Sequence, residues 1–324
     1  MNKRKQRRVL RREIGKYGWA MLLYYLILNV AVVAVCEINL IYEGFRAVIE
    51  GDSWANFTDG MLGAMEAVYT GNGWGYLIAC ALAVGFLRLW KGKDFFTSMF
   101  ATKQDMTAAT FLRLACLFFG GQMVFQLVAV MEEWLANLFG LSVMESMYMA
   151  SSGADTVSMF LYMGLAAPLV EEIIFRGLLL RGLEPFGKRF AIFASALMFG
   201  VFHGNLVQSP YAFVVGLVLG YVAMVYNILW AMVLHMMNNL LLGDTLPRLM
   251  SGLPAGASDL VLWLFFLACF LGGILLLVRG RKEIRSYRRR DPMDRQCLWA
   301  FATAVPNVIF FVIMLWGAVS VLFW

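Results

Sequence analysis

Charge is what this chain has least of. Only 15% of its 324 residues are Asp, Glu, Lys or Arg and 61% are hydrophobic, whereas soluble domains carry about 25% charged and 45–50% apolar residues. That balance excludes an ordinary soluble fold. Histidine is scarcer still, with two residues, and no H-E-x-x-H run is present to preform a zinc helix. The five cysteines (Cys36, Cys80, Cys116, Cys269 and Cys297) all fall in or beside apolar runs. Their odd number and the lack of a C-x-x-C pair exclude a disulfide framework and a thiolate metal site. There is no Gly-rich phosphate loop, no low-complexity tract and no 20–50-residue repeat. The net charge of +6 comes from residues that flank apolar runs, and no basic, aromatic-interleaved domain exists to hold nucleic acid.

What is present is a series of apolar runs near the roughly 20 residues that cross a bilayer. They predict spans over about 17–41, 73–90, 107–131, 157–181, 190–207, 211–227, 228–243, 259–278 and 297–322. The expected fold is therefore all-α, a polytopic transmembrane bundle of eight to nine spans. The count falls to eight if 211–243 is undivided at Tyr226 and Asn227. Segments 42–72 and 132–156 are expected to hold surface helices on the outer face. Basic residues gather in residues 1–16, 88–106, 176–189 and 279–296, together 24 of the 27. By the positive-inside rule these face the cytoplasm, the N terminus with them, and nine spans would put Trp324 outside. The first apolar run is too long for a signal-peptide core and lacks a small-x-small cleavage site, so it reads as a retained helix. Arg113 reads as a snorkelling cation and Glu37 as an interfacial acid.

Ionisable groups inside such runs are costly, by roughly 2.5–3.5 kcal/mol each on insertion scales. Five of them nevertheless fall within 65 residues, at Glu171, Glu172, Arg176, His203 and His235. On one helix Glu172 and Arg176 are four apart, the spacing at which carboxylate and guanidinium meet, which leaves Glu171 freer. A paired carboxylate stays ionised, while one in a low dielectric is suited to take a proton, so adjacent acids can divide into an anchor and a general base. His203 follows Phe199 by four residues and can hold the attacking water with Glu171. His235 precedes Asn239 by four, and two fixed donors there suit the oxyanion of an acyl intermediate. Together these are the parts for hydrolysing an amide. Each also has a plainer reading, as a packing ion pair or as interhelical glue, but both histidines and the paired acids fall on three nearby helices.

The motifs E-E-x-x-x-R (Glu171, Glu172, Arg176), F-x-x-x-H (Phe199, His203) and H-x-x-x-N (His235, Asn239) appear in order and without substitution over about residues 157–243. In this the sequence resembles the CPBP group of membrane proteins, which includes type II CAAX prenyl proteases and bacterial immunity and Abi-type proteins. The resemblance implies a glutamate-dependent intramembrane endopeptidase. Glu171 would activate water with His203, His235 and Asn239 would form the oxyanion hole, and Glu172 with Arg176 would organise the site. The resemblance makes 157–243 the catalytic core of four helices, and the apolar runs outside it leave residues 1–156 as N-terminal transmembrane helices and outer-face loops and 244–324 as C-terminal transmembrane helices. No cofactor is expected. Zinc held by Glu171, His203 and His235 is the less favoured alternative.

The expected partners are the lipid bilayer and a peptide or membrane-protein substrate, including the bacteriocin-processing or immunity roles of that group. The expected location is a bacterial cytoplasmic membrane. A non-catalytic membrane protein that binds a peptide through the same cluster is the alternative. A transporter is weaker, because no inverted repeat or Gly/Pro-broken helix pair is evident.

Overall fold

The first proline is Pro168. Proline breaks helices because it lacks the N–H and its ring clashes with the preceding turn, and without it the first half forms long helices. In the computed structural model, which describes residues 3–51, 58, 72–144, 148, 156–254 and 256–323, α1 runs Lys3–Glu50, α2 Trp74–Met99 and α3 Ala108–Asn137. At 1.5 Å per residue the 48 residues of α1 span about 72 Å, more than twice the roughly 30 Å hydrocarbon layer. The predicted span 17–41 is thus the middle of a longer helix. Its last turns, expected as outer loop, carry Arg46 paired with Glu43 at 3.3 Å and Glu50 at 3.0 Å. The other expected outer-face residues lie largely outside the described ones.

The prolines then mark the breaks. α4 runs Val157–Phe186 with Pro168 inside it and ends at Gly187, whose φ of 116° lets the chain turn at once into α5, Lys188–Phe202. α6 is Gln208–Val225 and α7 Ile228–Met237, the latter continuing through a π-helical stretch, Asn238–Thr245. Beyond lie α8 (Ala257–Arg279), α9 (Arg281–Arg290), α10 (Arg295–Thr303) and α11 (Val305–Ser320). Among the described residues there is no strand. Among the described residues seven helices are long and apolar enough to cross a membrane, and the chain is an integral membrane protein built as a helical bundle.

Three predicted spans differ in detail. The run 190–207 forms the 15-residue α5, which stops before His203 because Gly204 turns the chain at φ 56°. The run 211–243 does divide, since Tyr226 and Asn227 both leave helical geometry, and the Asn227 side chain caps α7, its Oδ1 accepting from Leu229 N–H at 2.8 Å. The run 297–322 is two helices, broken at the extended Ala304 just ahead of Pro306. Fully buried Asn307 closes that break by donating to the Phe301 carbonyl at 2.8 Å. α1 crosses there at Gly18, where a Cβ would stand 2.1 Å from Asn307 Oδ1.

The four basic segments meet at one end of the bundle. Arg7 and Arg11 of α1 lie over the Trp299 ring of α10, at 5.4 and 5.2 Å. Lys103 reaches Glu184 at 3.9 Å, and Asp291 accepts from the Arg189 N–H at 2.6 Å. Helices α4 to α7 pack together at the centre, α1 and α3 flank them, and α8 packs on α3 at the periphery.

Candidate active site

Two π-helical stretches interrupt α4, at Tyr162–Ala166 and Ile173–Leu180, and the acids sit in the α-helical segment between them, Ala167–Glu172. Such insertions are rare and gather at functional sites. In the first, the Ala167 N–H bonds back five residues to the Tyr162 carbonyl. The next bond in that register would run from residue 168 to the Met163 carbonyl, and Pro168 has no N–H to give. The Met163 carbonyl is therefore released, and the Asn239 side chain donates to it at 2.8 Å. A single proline thus sets where Asn239 is anchored.

The charged centre is a linked set. Glu172 and Arg176 are fully buried and their charges stand 3.1 Å apart, Oε1 to Nη1. The approach is not aligned as a hydrogen bond, so the attraction is coulombic. Arg176 also donates from Nη2 to the Gly216 carbonyl at 3.3 Å and rests on the Phe199 ring, 4.2 Å from its centroid, a cation–π contact. Gly216 packs closely there, and a Cβ would stand 3.1 Å from Phe199, so the ring would have to give by a few tenths of an ångström. Ser195 of α5 donates to the Phe175 carbonyl at 2.7 Å and locks α5 to the second π-helical stretch.

His235 bridges the two acids. Its Nδ1 is 3.0 Å from Glu172 Oε1 and its Nε2 is 3.8 Å from Glu171 Oε2. Because the carboxylate accepts, Nδ1 carries the proton of the first contact. His203 ends α5 with Nδ1 2.8 Å from the Phe199 carbonyl, which leaves Nε2 unprotonated in the neutral ring. Phe199 stands edge-on to both imidazoles, at 4.9 Å from His203 and 5.6 Å from His235. The structure thus brings Glu171, Glu172, Arg176 and His235 into direct contact, with His203 beside them across Phe199. Asn239 faces the π-helical turn instead, and with one N–H on Met163 it retains a second. Among the described residues no group of three His, Cys, Asp or Glu side chains is placed to hold a metal ion.

Several residues here lie outside the sequence motifs. Gln122 of α3 donates to the Tyr211 hydroxyl at 2.8 Å and to Asn238 Oδ1 at 3.0 Å. Tyr211 donates to the same oxygen at 2.9 Å, and Asn238 donates to Asn239 Oδ1 at 3.1 Å. Every bond in this chain of amides points towards Asn239 and, through it, Met163. Tyr24 and Tyr162 stand within electrostatic reach of Glu171. The available signal was a lone amide inside an apolar run, at Gln122, since such a group in lipid needs a partner on another helix. Gln122→Leu should remove two partly buried hydrogen bonds and cost about 1–3 kcal/mol, read as a lower Tm in detergent. A Tm equal to the parent's would show that the network does not hold α3 to α6 and α7.

Residues 153–241 match the model of the family described as type II CAAX prenyl endopeptidase Rce1-like. No curated protein and no solved structure matches the chain. The matched segment contains all seven motif residues and the three breaks at Pro168, Gly187 and Asn227. Over residues 153–241, a little over a quarter of its length, the chain is thus similar to the type II CAAX prenyl endopeptidase Rce1-like family.

Proposed function

We propose that this protein is an intramembrane endopeptidase in which Glu171 activates the water that attacks a peptide bond. The observation that carries the reading is the bridge of His235 between two unlike acids, at 3.0 Å from Glu172 and 3.8 Å from Glu171. Arg176 balances Glu172 at 3.1 Å and among the described residues no lysine or arginine is paired with Glu171, so the cluster has room for one more proton on the Glu171 side. In the proposed reaction the water oxygen bonds to the carbonyl carbon and its proton passes to Glu171. The C–N bond then breaks, and the departing nitrogen takes that proton. His203, with Nε2 free to accept, orients the water. The remaining N–H of Asn239, and His235 once its Nε2 also carries a proton, donate to the developing oxyanion in this reading. Glu172 and Arg176 hold His235 in place, a positioning role.

The substrate class that fits a site enclosed by membrane helices is a membrane-associated peptide or protein, and the family's name makes a prenylated C-a-a-X peptide the first client to assay. The gathering of basic segments at one end supports a cytoplasmic N terminus. One observation favours the alternative of a non-catalytic peptide binder: Asn239 already spends an N–H on Met163. Asn239→Ala separates the two. An oxyanion donor's loss lowers kcat by about 10²–10³ with binding nearly unchanged, whereas a binder would show no cleavage in the parent and weaker binding in the variant.

The proposed water activation needs no metal. EDTA or phenanthroline should leave activity in detergent unchanged, and metal analysis should find less than one zinc per chain. Stoichiometric zinc that leaves with activity and restores it on return would overturn the metal-free mechanism.

A further inference from the structure

We propose that the cavity at the corner of α8 and α9 is a binding site for the headgroup of an anionic phospholipid. Arg281, Arg285, Arg288 and Arg289 all line it, at spacings of three, four and seven residues that put them on one face of α9. Arg189, from the first turn of α5, closes it from the other side around a volume of about 820 Å³. Arg189 is fixed in place by donating from Nη1 to the carbonyls of Arg288 at 3.2 Å and Asp291 at 3.1 Å. Among the described residues no carboxylate pairs with any of these five guanidinium groups. Asp291 does not line the cavity and is engaged by the Arg189 N–H, while Glu283 lies off the basic face. Like charges so spaced repel one another, and an anion in the cavity relieves that repulsion.

The position selects the kind of anion. Leu277 of the cavity wall belongs to the last turn of α8, whose 23 residues and high hydropathy fit a membrane span. The cavity therefore sits where that helix leaves the membrane, at the depth of lipid phosphates. Leu277 and Ile284 line it with side chains 50% and 40% exposed, and they give the upper acyl chain an apolar edge from which a free phosphate gains nothing. Juxtamembrane arginines attract anionic lipid at about a factor of five each.

The test uses the full chain in neutral detergent, with phosphatidylglycerol and phosphatidylcholine of identical acyl chains as probes and bound lipid counted by native mass spectrometry. Phosphatidylglycerol should bind and phosphatidylcholine should not. Arg285→Gln with Arg289→Gln should weaken phosphatidylglycerol binding about thirtyfold. Lys282→Gln with Arg290→Gln removes the same charge from the same helix outside the cavity and should leave binding within a factor of a few. Equal weakening by both pairs would mean diffuse surface attraction and overturn the site. Displacement of the lipid by an equal concentration of inorganic phosphate would overturn the lipid assignment. If the cavity pair does not fold, Arg285→Gln alone against Lys282→Gln alone makes the same comparison at about fivefold.

Discussion

Glu171→Gln is expected to abolish peptide cleavage, lowering kcat by about 10²–10⁴ while the protein accumulates and unfolds like the parent. The substitution keeps the size and hydrogen-bonding capacity of the side chain and removes only its ability to take a proton. Glu171 is the acid to choose because the guanidinium is placed on the other one, Arg176 standing 3.1 Å from Glu172. Its only ion-pairing contact among the described residues is with His235 Nε2, at 3.8 Å, a gap that the glutamine amide also tolerates. Purified variant retaining a tenth or more of parental activity would remove Glu171 from the role of base.

The opposite result is expected one residue along. Glu172→Gln should cost about 3–5 kcal/mol of stability, because breaking a buried pair from one side leaves the other charge unpaired away from water. Arg176 is 1% exposed, and its remaining contacts among the described residues include the Gly216 carbonyl and the Phe199 and Phe175 rings, none of which carries a compensating charge. His235 would also lose the carboxylate at 3.0 Å. The measurements are folded yield and Tm in one detergent. Replacing both partners by apolar residues, as Glu172→Leu with Arg176→Met, should recover much of the Tm without recovering cleavage. A single Glu172→Gln variant as stable as the parent would show that the pair is not what holds α4 in place.

These two acids show how far the sequence could be read. Four-residue spacing on a helix predicts the Glu172–Arg176 contact, and that contact forms. The membrane class and the helical bundle follow from composition and run length, which act over many residues and average out local detail. What spacing cannot reveal is anything that depends on which helices become neighbours. His235 is four residues from Asn239, and the two lie on one helix face, yet His235 turns to the acids of α4 and Asn239 to a carbonyl of the same helix. That carbonyl is free only because a π-helical turn and Pro168 coincide, a combination with no periodic signature. Gln122 and Tyr211 were illegible for the same reason, since a lone polar residue in an apolar run does not name its partner. The helix end at Ala304 was hidden by the apolar pattern itself, which continues through it although the backbone does not, whereas the division at Tyr226 and Asn227 was legible.

The most direct test of the proposed chemistry is to follow one membrane-associated client peptide, a prenylated C-a-a-X peptide first, with binding and cleavage measured in the same detergent for the parent and for Glu171→Gln. The parent should bind the peptide and release a product shortened by hydrolysis of one peptide bond, and Glu171→Gln should bind with a similar Kd and release none. Parent and variant that bind the peptide alike and both leave it intact, across a panel of prenylated and unprenylated peptides, would contradict an endopeptidase and leave a peptide-binding membrane protein in its place.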